Sequence, residues 1–191
     1  MPRLTRTESQ ERTRAQLIET ARRLFFAEGF HATSLEKVAE AAGYSKGAVY
    51  SNFRNKDELC AAVLERVRAD RFGELLALFT APDQDTRLAA FGEWAEQVIG
   101  DPGWTSLELE FAVHSTRSDE LRTELAARAD SVVGMLAGAL GGMDDVSWQL
   151  PESETALILL ALGVGLGMLR TVDPAVPVRG IVDATRLLAI V

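Results

Sequence analysis

Apolar residues recur along this chain at three- and four-residue steps, with no sustained alternation and no Asn-Gly or Asp-Gly hairpin signal, so every segment reads as helix. Leu17, Ile18, Ala21, Leu24 and Phe25 form one stripe over a first helix from about Ser9 to Glu28, and Gly29 stands where a left-handed residue would close it. A second helix opens at Thr33, with Glu36 placed to complete a reciprocal capping box. It turns Leu35, Val38, Ala39 and Ala42 inward and stops at Gly43. Ser45 caps a short third helix to about Asn52, and Asn55, paired with Glu58, caps a fourth that continues to about Phe79. Beyond it, Pro82, Asp101-Pro102-Gly103, the stretch from Gly141 to Pro151 and that from Asp173 to Pro177 break the pattern. They leave helices near 84–99, 104–116, 119–140, 152–171 and 178–191. The expected fold is all-α, about nine helices: an amino-terminal three-helix helix-turn-helix domain, residues 1–60, and a carboxy-terminal helical bundle, residues 61–191. The join falls inside the fourth helix, so the two parts should be mechanically connected.

Composition narrows the class without naming a function. The chain has 191 residues, 47% hydrophobic and 25% charged, which excludes disordered and fibrous classes. Its one cysteine, Cys60, excludes a disulfide framework and points to a reducing compartment. The basic start has no apolar stretch behind it and does not read as a secretory signal. The longest charge-free apolar run, Ala156 to Leu169, is too short for a bilayer span and reads as a buried helix. A cytoplasmic protein with no membrane partner is expected. Charge is uneven: residues 1–60 hold ten Lys/Arg and eight Asp/Glu, net +2, while 61–191 hold ten and twenty, net −10. A polyanion could approach only the first part.

Enzyme and metal motifs do not hold up. Gly43-Tyr44-Ser45-Lys46-Gly47 fits a nucleophile elbow but joins two helices with no strand before it. Ser34-Leu35-Glu36-Lys37 lacks the companions of its penicillin-binding pattern, and Gly163-Val164-Gly165-Leu166-Gly167 lies inside an apolar helix. His31 and His114 are far apart in sequence, and Cys60 has no Cys or His at ligand spacing, so neither metal nor cofactor is expected. Lys56, one turn from Cys60, could lower the thiol pKa.

The second helix, the turn Ala42-Gly43-Tyr44-Ser45 and the third helix have the dimensions of a helix-turn-helix, whose second helix faces base edges in the major groove. The third helix offers Tyr44, Ser45, Lys46, Ala48, Tyr50 and Asn52, while Val49 and Phe53 would hold it to the first two. Gly47 weakens a short helix and needs a reason, such as close approach of backbone to the second helix or to DNA. Lys46 and Lys56 lie near helix N-termini, which favour phosphate. The run GFHATSLEKVAEAAGYSKGAVYSNFRNKDEL, Gly29 to Leu59, resembles the DNA-binding domain of TetR-family transcriptional regulators, and the resemblance covers residues 10–60. It implies phosphate contacts from Thr33, Tyr50 and Lys56, with Tyr44, Ser45 and Lys46 at the groove. Asn52 stands where the family often has histidine, and it can still hydrogen-bond phosphate. The resemblance further implies an obligate homodimer on a double-stranded DNA operator, a mostly repressive role, and a larger carboxy-terminal domain that binds a small-molecule effector.

For that effector the sequence offers Trp104, Leu107, Phe111 and His114 on one helix face, Phe91 and Trp94 on the preceding helix, and Met135 and Met168 on later ones. Leu107 reads as core. The others, with Glu108 and His114 as orienting groups, suit an apolar pocket for a hydrophobic or aromatic molecule. Phe72, Leu76 and Phe79 should close its floor. Helices 152–171 and 178–191 are too apolar for an exposed surface and are assigned the dimer contact, with Gly163 and Gly167 as a small-residue groove. A basic arm with Arg3 and Arg6 is either a solvated tail or an extra DNA contact. The rival class, a small helical ligand-binding protein or enzyme without DNA binding, leaves the second and third helices unexplained.

Overall fold

Side-chain caps decide where the helices begin. A computed structural model describes residues 5–190; Arg3 and Val191 lie outside the described residues, and Arg6 is exposed on the first turn of α1. Helix α1 (Arg6–Glu28) starts earlier than its apolar stripe, because Thr5 and Glu8 form a reciprocal capping box. Helix α2 (Leu35–Ala42) is capped by Ser34, whose hydroxyl accepts the Lys37 N–H, and not by Thr33. The third residue in is therefore Lys37 rather than Glu36, and the expected box is replaced by a single cap. Ser45 caps α3 (Lys46–Tyr50), and Asn55 caps α4 (Lys56–Leu78). Glu58 accepts from the Arg54 N–H instead of that of Asn55. Gly29 ends α1 with φ 85° but an extended ψ of 168°, so it leaves the helix without the left-handed turn expected of it.

The bundle comprises α5 (Gln84–Val98), α6 (Pro102–Ser115), α7 (Asp119–Gly141), α8 (Glu152–Val172) and α9 (Arg179–Leu188). Asp101 caps α6 with proline in its first turn, which brings that helix forward to Pro102. Helix α9 is shorter than expected. The chain leaves it as strand β2 (Ala189–Ile190), antiparallel to β1 (Ser147–Trp148). Strands of two residues are too short to carry an alternation that a sequence could show. The described residues thus hold nine helices and one small ribbon.

Three apolar clusters hold these elements. The first gathers Leu17, Phe25, Val38, Val49, Phe53 and Leu59 from α1–α4, and takes in Leu107 and Phe111 from α6. The second joins the end of α4 to α7 and α8 through Phe72, Leu75, Leu136, Leu140 and Ala156. The third packs α5 on α9 through Ala95, Ile99, Val178 and Ile181, with Leu159, Leu162 and Leu166 of α8 against them. Helix α6 ties the amino-terminal helices to the bundle: Glu110 accepts the Phe30 N–H at 2.8 Å, and His114 Nε2 lies 3.0 Å from Asp57.

Helix α8 is not the buried rod that its apolar run suggests. The run lies within a helix of 21 residues, long and apolar enough by length and composition to cross a membrane. Its outward face exposes Leu157, Ile158, Val164, Met168, Leu169 and Val172, with Met135 of α7 also exposed. Gly163 and Gly167 point the opposite way. A Cβ on Gly163 would meet Ile181 and Ile99, and one on Gly167 would meet Gly100 and Thr105. They are packing positions within the molecule rather than an outer groove. Helix α9 buries Ile181 and exposes Arg179, Asp183, Arg186 and Leu187, so the unpartnered apolar face is chiefly that of α8 and not a joint face of α8 and α9.

The contact between α6 and α1 gives a direct test. A Cβ on Gly103 would stand 2.7 Å from the Phe26 ring, whereas one on Gly73 in α4 would meet nothing within 4 Å. In thermal unfolding Gly103→Ala should lose about 1–3 kcal/mol of stability from forced overpacking. Gly73→Ala should gain up to about 1 kcal/mol from helix propensity. Equal behaviour of the two would mean that α6 is not seated on α1 as described.

Candidate nucleic-acid interface and interior cavity

The left-handed Gly43 (φ 71°) turns the chain from α2 into α3, and the Tyr44 N–H donates to the Ala39 carbonyl at 2.9 Å. Val49 and Phe53 are buried, which aims the opposite side of α3 outward and leaves Ser45, Lys46, Gly47 and Tyr50 exposed. The Ser45 oxygen accepts the Ala48 N–H at 3.2 Å and keeps its own proton to donate. Tyr44 is half-buried, and its hydroxyl donates to Gln16 of α1. Lys46 has neither an ion pair nor a hydrogen bond among the described residues, while Lys37 is tied to Glu28 and Arg54 to Glu58. Around Gly47 a Cβ would approach only the Ser45 hydroxyl, at 3.8 Å, so packing against α2 does not account for this glycine.

Glu36 was not anticipated at this edge. The Tyr50 hydroxyl donates to its carboxylate at 3.1 Å. Its own backbone N–H and then Tyr50 hold the Glu36 carboxyl below the usual range, and Glu36 in turn raises the Tyr50 phenol. A phosphate that reaches the Tyr50 hydroxyl must displace this carboxylate.

The remaining positions expected at DNA sit behind the edge. Thr33 is buried, and its hydroxyl donates to the Gly29 carbonyl at 2.9 Å, so its side chain has no surface to offer a phosphate. Asn52 is half-buried and donates its amide to the Ala48 carbonyl at 2.8 Å, closing the end of α3. The Arg14 guanidinium lies 4.2 Å over the Phe53 ring and also donates to the Asn52 carbonyl. Lys56 Nζ donates to the Phe30 carbonyl at 2.9 Å and sits 4.2 Å over its ring. Tyr44, Ser45, Lys46 and Tyr50 therefore share one edge, with Asn52 and Lys56 supporting it from behind and Thr33 inside. Cys60 is fully buried, and burial pushes its thiol far above the ordinary value despite the nearby Lys56.

Helices α4–α9 enclose a cavity of about 350 Å³. Phe91, Trp94, Trp104, Glu108 and Phe111 line it, as does the expected floor of Phe72 and Phe79; Leu76 does not. The Phe91 and Trp94 rings are stacked with centroids 6.0 Å apart. His114, Met135 and Met168 are not at the cavity. Trp104, Glu108 and Phe111 recur at i, i+4 and i+7 and turn to the lumen. Glu110 and His114 face the amino-terminal helices instead, where the His114 ring lies 4.8 Å from that of Phe30. Both methionines are exposed on the outer surface.

The sequence reading also missed the charged part of the lining. The Arg68 Nε donates to Glu108 at 2.7 Å, Arg87 is buried and donates to Asp145 and to the Ala81 carbonyl, and Arg128 donates to the Ala61 carbonyl at 3.1 Å. Arg68 could have been found, since it falls between Leu64 and Phe72 on an i, i+4 apolar stripe. No group of three metal-ligating side chains gathers among the described residues.

This arrangement has recognisable relatives. Residues 17–63 match the family model described as bacterial regulatory proteins, tetR family. The transcriptional regulator TtgR of Pseudomonas putida is 49% identical over 65 residues, 34% of this chain and 30% of that one, so the match spans under a third of that regulator's length. The transcriptional repressor Rv1474c of Mycobacterium tuberculosis is 32% identical over 127 residues, 60% of this chain and 67% of its own. Among solved structures, a complex of SmeT with triclosan superposes with a TM-score of 0.68 at 23% identity, covering 94% of this chain and 92% of that one, which is a likeness of fold. The helix-turn-helix edge and the shared sequence agree, and the chain belongs to the tetR family of bacterial transcriptional regulators.

Proposed function

We propose that this protein is a ligand-responsive repressor that binds a near-palindromic operator as a homodimer and is released by a small hydrophobic or aromatic effector. Residues 1–60 would read DNA in the cytoplasm, and residues 61–191 would dimerise and hold the effector. The observation that carries the reading is the exposed edge of Tyr44, Ser45, Lys46, Gly47 and Tyr50 on a helix whose other side is fully packed. A short helix presented this way enters a major groove with its first residues toward the bases. Gly47, unexplained by packing, fits backbone brought close to DNA. The acidic remainder of the chain keeps non-specific affinity low, so binding should fall steeply with salt.

Two readers on one palindrome require a two-fold, and an isologous contact uses one surface twice. The exposed apolar face of α8 is the surface that suits it, and a second copy is its proposed occupant. Coupling would run along two helices. Helix α4 lines the cavity with Leu64, Arg68 and Phe72 and carries Lys56 at its start, and α6 lines it with Trp104, Glu108 and Phe111 while Glu110 holds Phe30. An effector that shifts either helix tilts α3, and by linkage operator DNA must weaken effector binding by the same factor.

The function is tested by selecting binding sites from a random DNA pool; a near-palindrome is the expected winner. Gly47→Ala should raise thermal stability by up to about 1 kcal/mol through helix propensity yet weaken operator binding, a pairing of signs that a merely structural glycine would not produce. Lys46→Ala should alter base preference at one position of each half-site by about 1–3 kcal/mol. Lys56→Ala should weaken all sequences alike and also lower the melting temperature. For the assembly, Leu157→Arg with Met168→Arg, both exposed and away from the cavity, should convert a dimer to a monomer in sedimentation velocity and abolish palindrome binding. A dimer that survives both substitutions would place the contact elsewhere.

A further inference from the structure

We infer that the cavity is a channel for one unbranched hydrocarbon chain of about twelve to sixteen carbons, lodged tail-first from an opening between α7 and α8. The inference rests on the effector reading above and adds the shape and class of the ligand.

The helices that line the cavity set its length. Helix α4 faces it from Leu64 to Phe79, α5 from Gln84 to Ile99 and α7 from Leu125 to Leu140. Each stretch is fifteen steps along its helix, about 22 Å at the helical rise. The start of α7 meets the start of α4, where Arg128 donates to the Ala61 carbonyl. Their far ends meet the start of α5, where Arg87 donates to the Ala81 carbonyl and to Asp145. Helix α5 then runs back, and just past its end Asp101 lies 3.9 Å from Arg71 of α4. One lumen thus extends between the same two ends of the bundle. A round cavity of about 350 Å³ would be only about 9 Å across, less than half that length. The space is long and narrow. An extended alkyl chain rises about 1.25 Å per carbon, from C–C bonds of about 1.52 Å, so about sixteen carbons span 20 Å, and fewer where end side chains lean into the lumen.

The wall suits such a chain. Its charged side chains are engaged already: Arg68 with Glu108 at 2.7 Å, Arg87 with Asp145, and Arg128 with the Ala61 carbonyl, 4.0 Å from Glu65. The lumen therefore asks for no charge of either sign, and a hydrocarbon leaves these pairs intact. One end is shut and the other open. On α7 the lining is buried at Leu136 and Leu140 but exposed at Ala129, and on α8 it is buried at Ala156 but exposed at Val164. The two helices close on each other near Trp148 and part toward α6. A chain entering there points its tail at Phe79, Met143, Val146 and Trp148 and keeps its head group at the opening.

The test is titration of the full chain, read by tryptophan fluorescence, with straight-chain alcohols and straight-chain carboxylates of graded length from octyl to octadecyl, kept below their micelle concentrations. A compact alcohol of the same carbon count as dodecanol, adamantyl ethanol, is the comparison. Each added methylene should tighten binding about three- to fourfold, up to a peak at about twelve to sixteen carbons. The alcohol and carboxylate series should peak within about two carbons of each other, because the chain and not the head group sets the fit. Dodecanol should bind about tenfold or more tighter than the adamantyl alcohol, which leaves most of the channel empty. Val146→Trp fills the shut end and should move the peak down by about three carbons, with octanol affinity kept; Met143→Trp should do the same from a neighbouring position. Kept octanol affinity also shows that the variants remain folded. Affinity that climbs through octadecyl without a peak, equal binding of dodecanol and the adamantyl alcohol, or a peak unmoved by both variants would overturn the inference while leaving an apolar effector site standing. If neither the chains nor the compact alcohol binds, the effector reading fails and this inference falls with it.

Discussion

Phe30 is the joint on which the rest of the structure turns. Its backbone N–H is accepted by Glu110 of α6, and its carbonyl accepts from Lys56 of α4. Its ring is packed edge-on against Phe111 at 5.6 Å, with the Lys56 ammonium over one face. A loop residue between two helices would ordinarily leave both backbone groups to water. Here they are satisfied by side chains from elements far along the chain, one of which begins beside the exposed edge of α3 while the other lines the cavity. Removing either partner leaves a buried polar group unsatisfied, which costs more than the bond itself contributes.

That joint explains why the amino-terminal helices are not a separate bead on a tether. The cluster that holds α1–α4 includes Leu107 and Phe111, so α6 belongs to the core of the reader as well as to the wall of the cavity. One face of α6 carries Trp104, Glu108 and Phe111 toward the lumen, and another carries Glu110 and His114 toward Phe30 and Asp57. Helix α4 repeats the arrangement along its length, with Leu59 and Val63 in the reader's core and Phe72 and Leu75 in the bundle. A helix is stiff over this length, so a displacement at one end is felt at the other.

The outer surface follows a different logic. Helix α8 turns its glycines inward, where Gly163 and Gly167 admit Ile181, Ile99 and Thr105, and turns Leu157, Val164 and Met168 outward. Leu159, Leu160, Leu162 and Leu166 of the same helix pack against the inner clusters, so α8 is apolar on both sides rather than on the core side alone. The two glycines among these inward leucines let neighbouring helices approach closely beside the cavity.

Much of this was legible in the residue order, for identifiable reasons. Helix positions, the turn at Gly43 and the inward Val49 and Phe53 depend on periodicity and on local capping, which act over a few residues. The shift of one cap from Thr33 to Ser34 lay within the same local chemistry but turned on which hydroxyl met the free N–H groups. What tertiary structure alone decided was orientation. The sequence placed Trp104, Phe111 and His114 on one face, but the roll of α6 against α1 put His114 beside Phe30 and left the tryptophan at the cavity. Met135 and Met168 have the right character for a pocket, and only the packing of α7 on α8 turns them outward. Arg68, Arg87 and Arg128 are ordinary surface residues by type, and the long-range partners Glu108, Asp145 and the Ala61 carbonyl are what let them stand at an interior wall. Local rules determine which segments are helices and which side of each is apolar; which apolar side meets a core, a cavity or a second chain is settled by contacts between residues tens of positions apart.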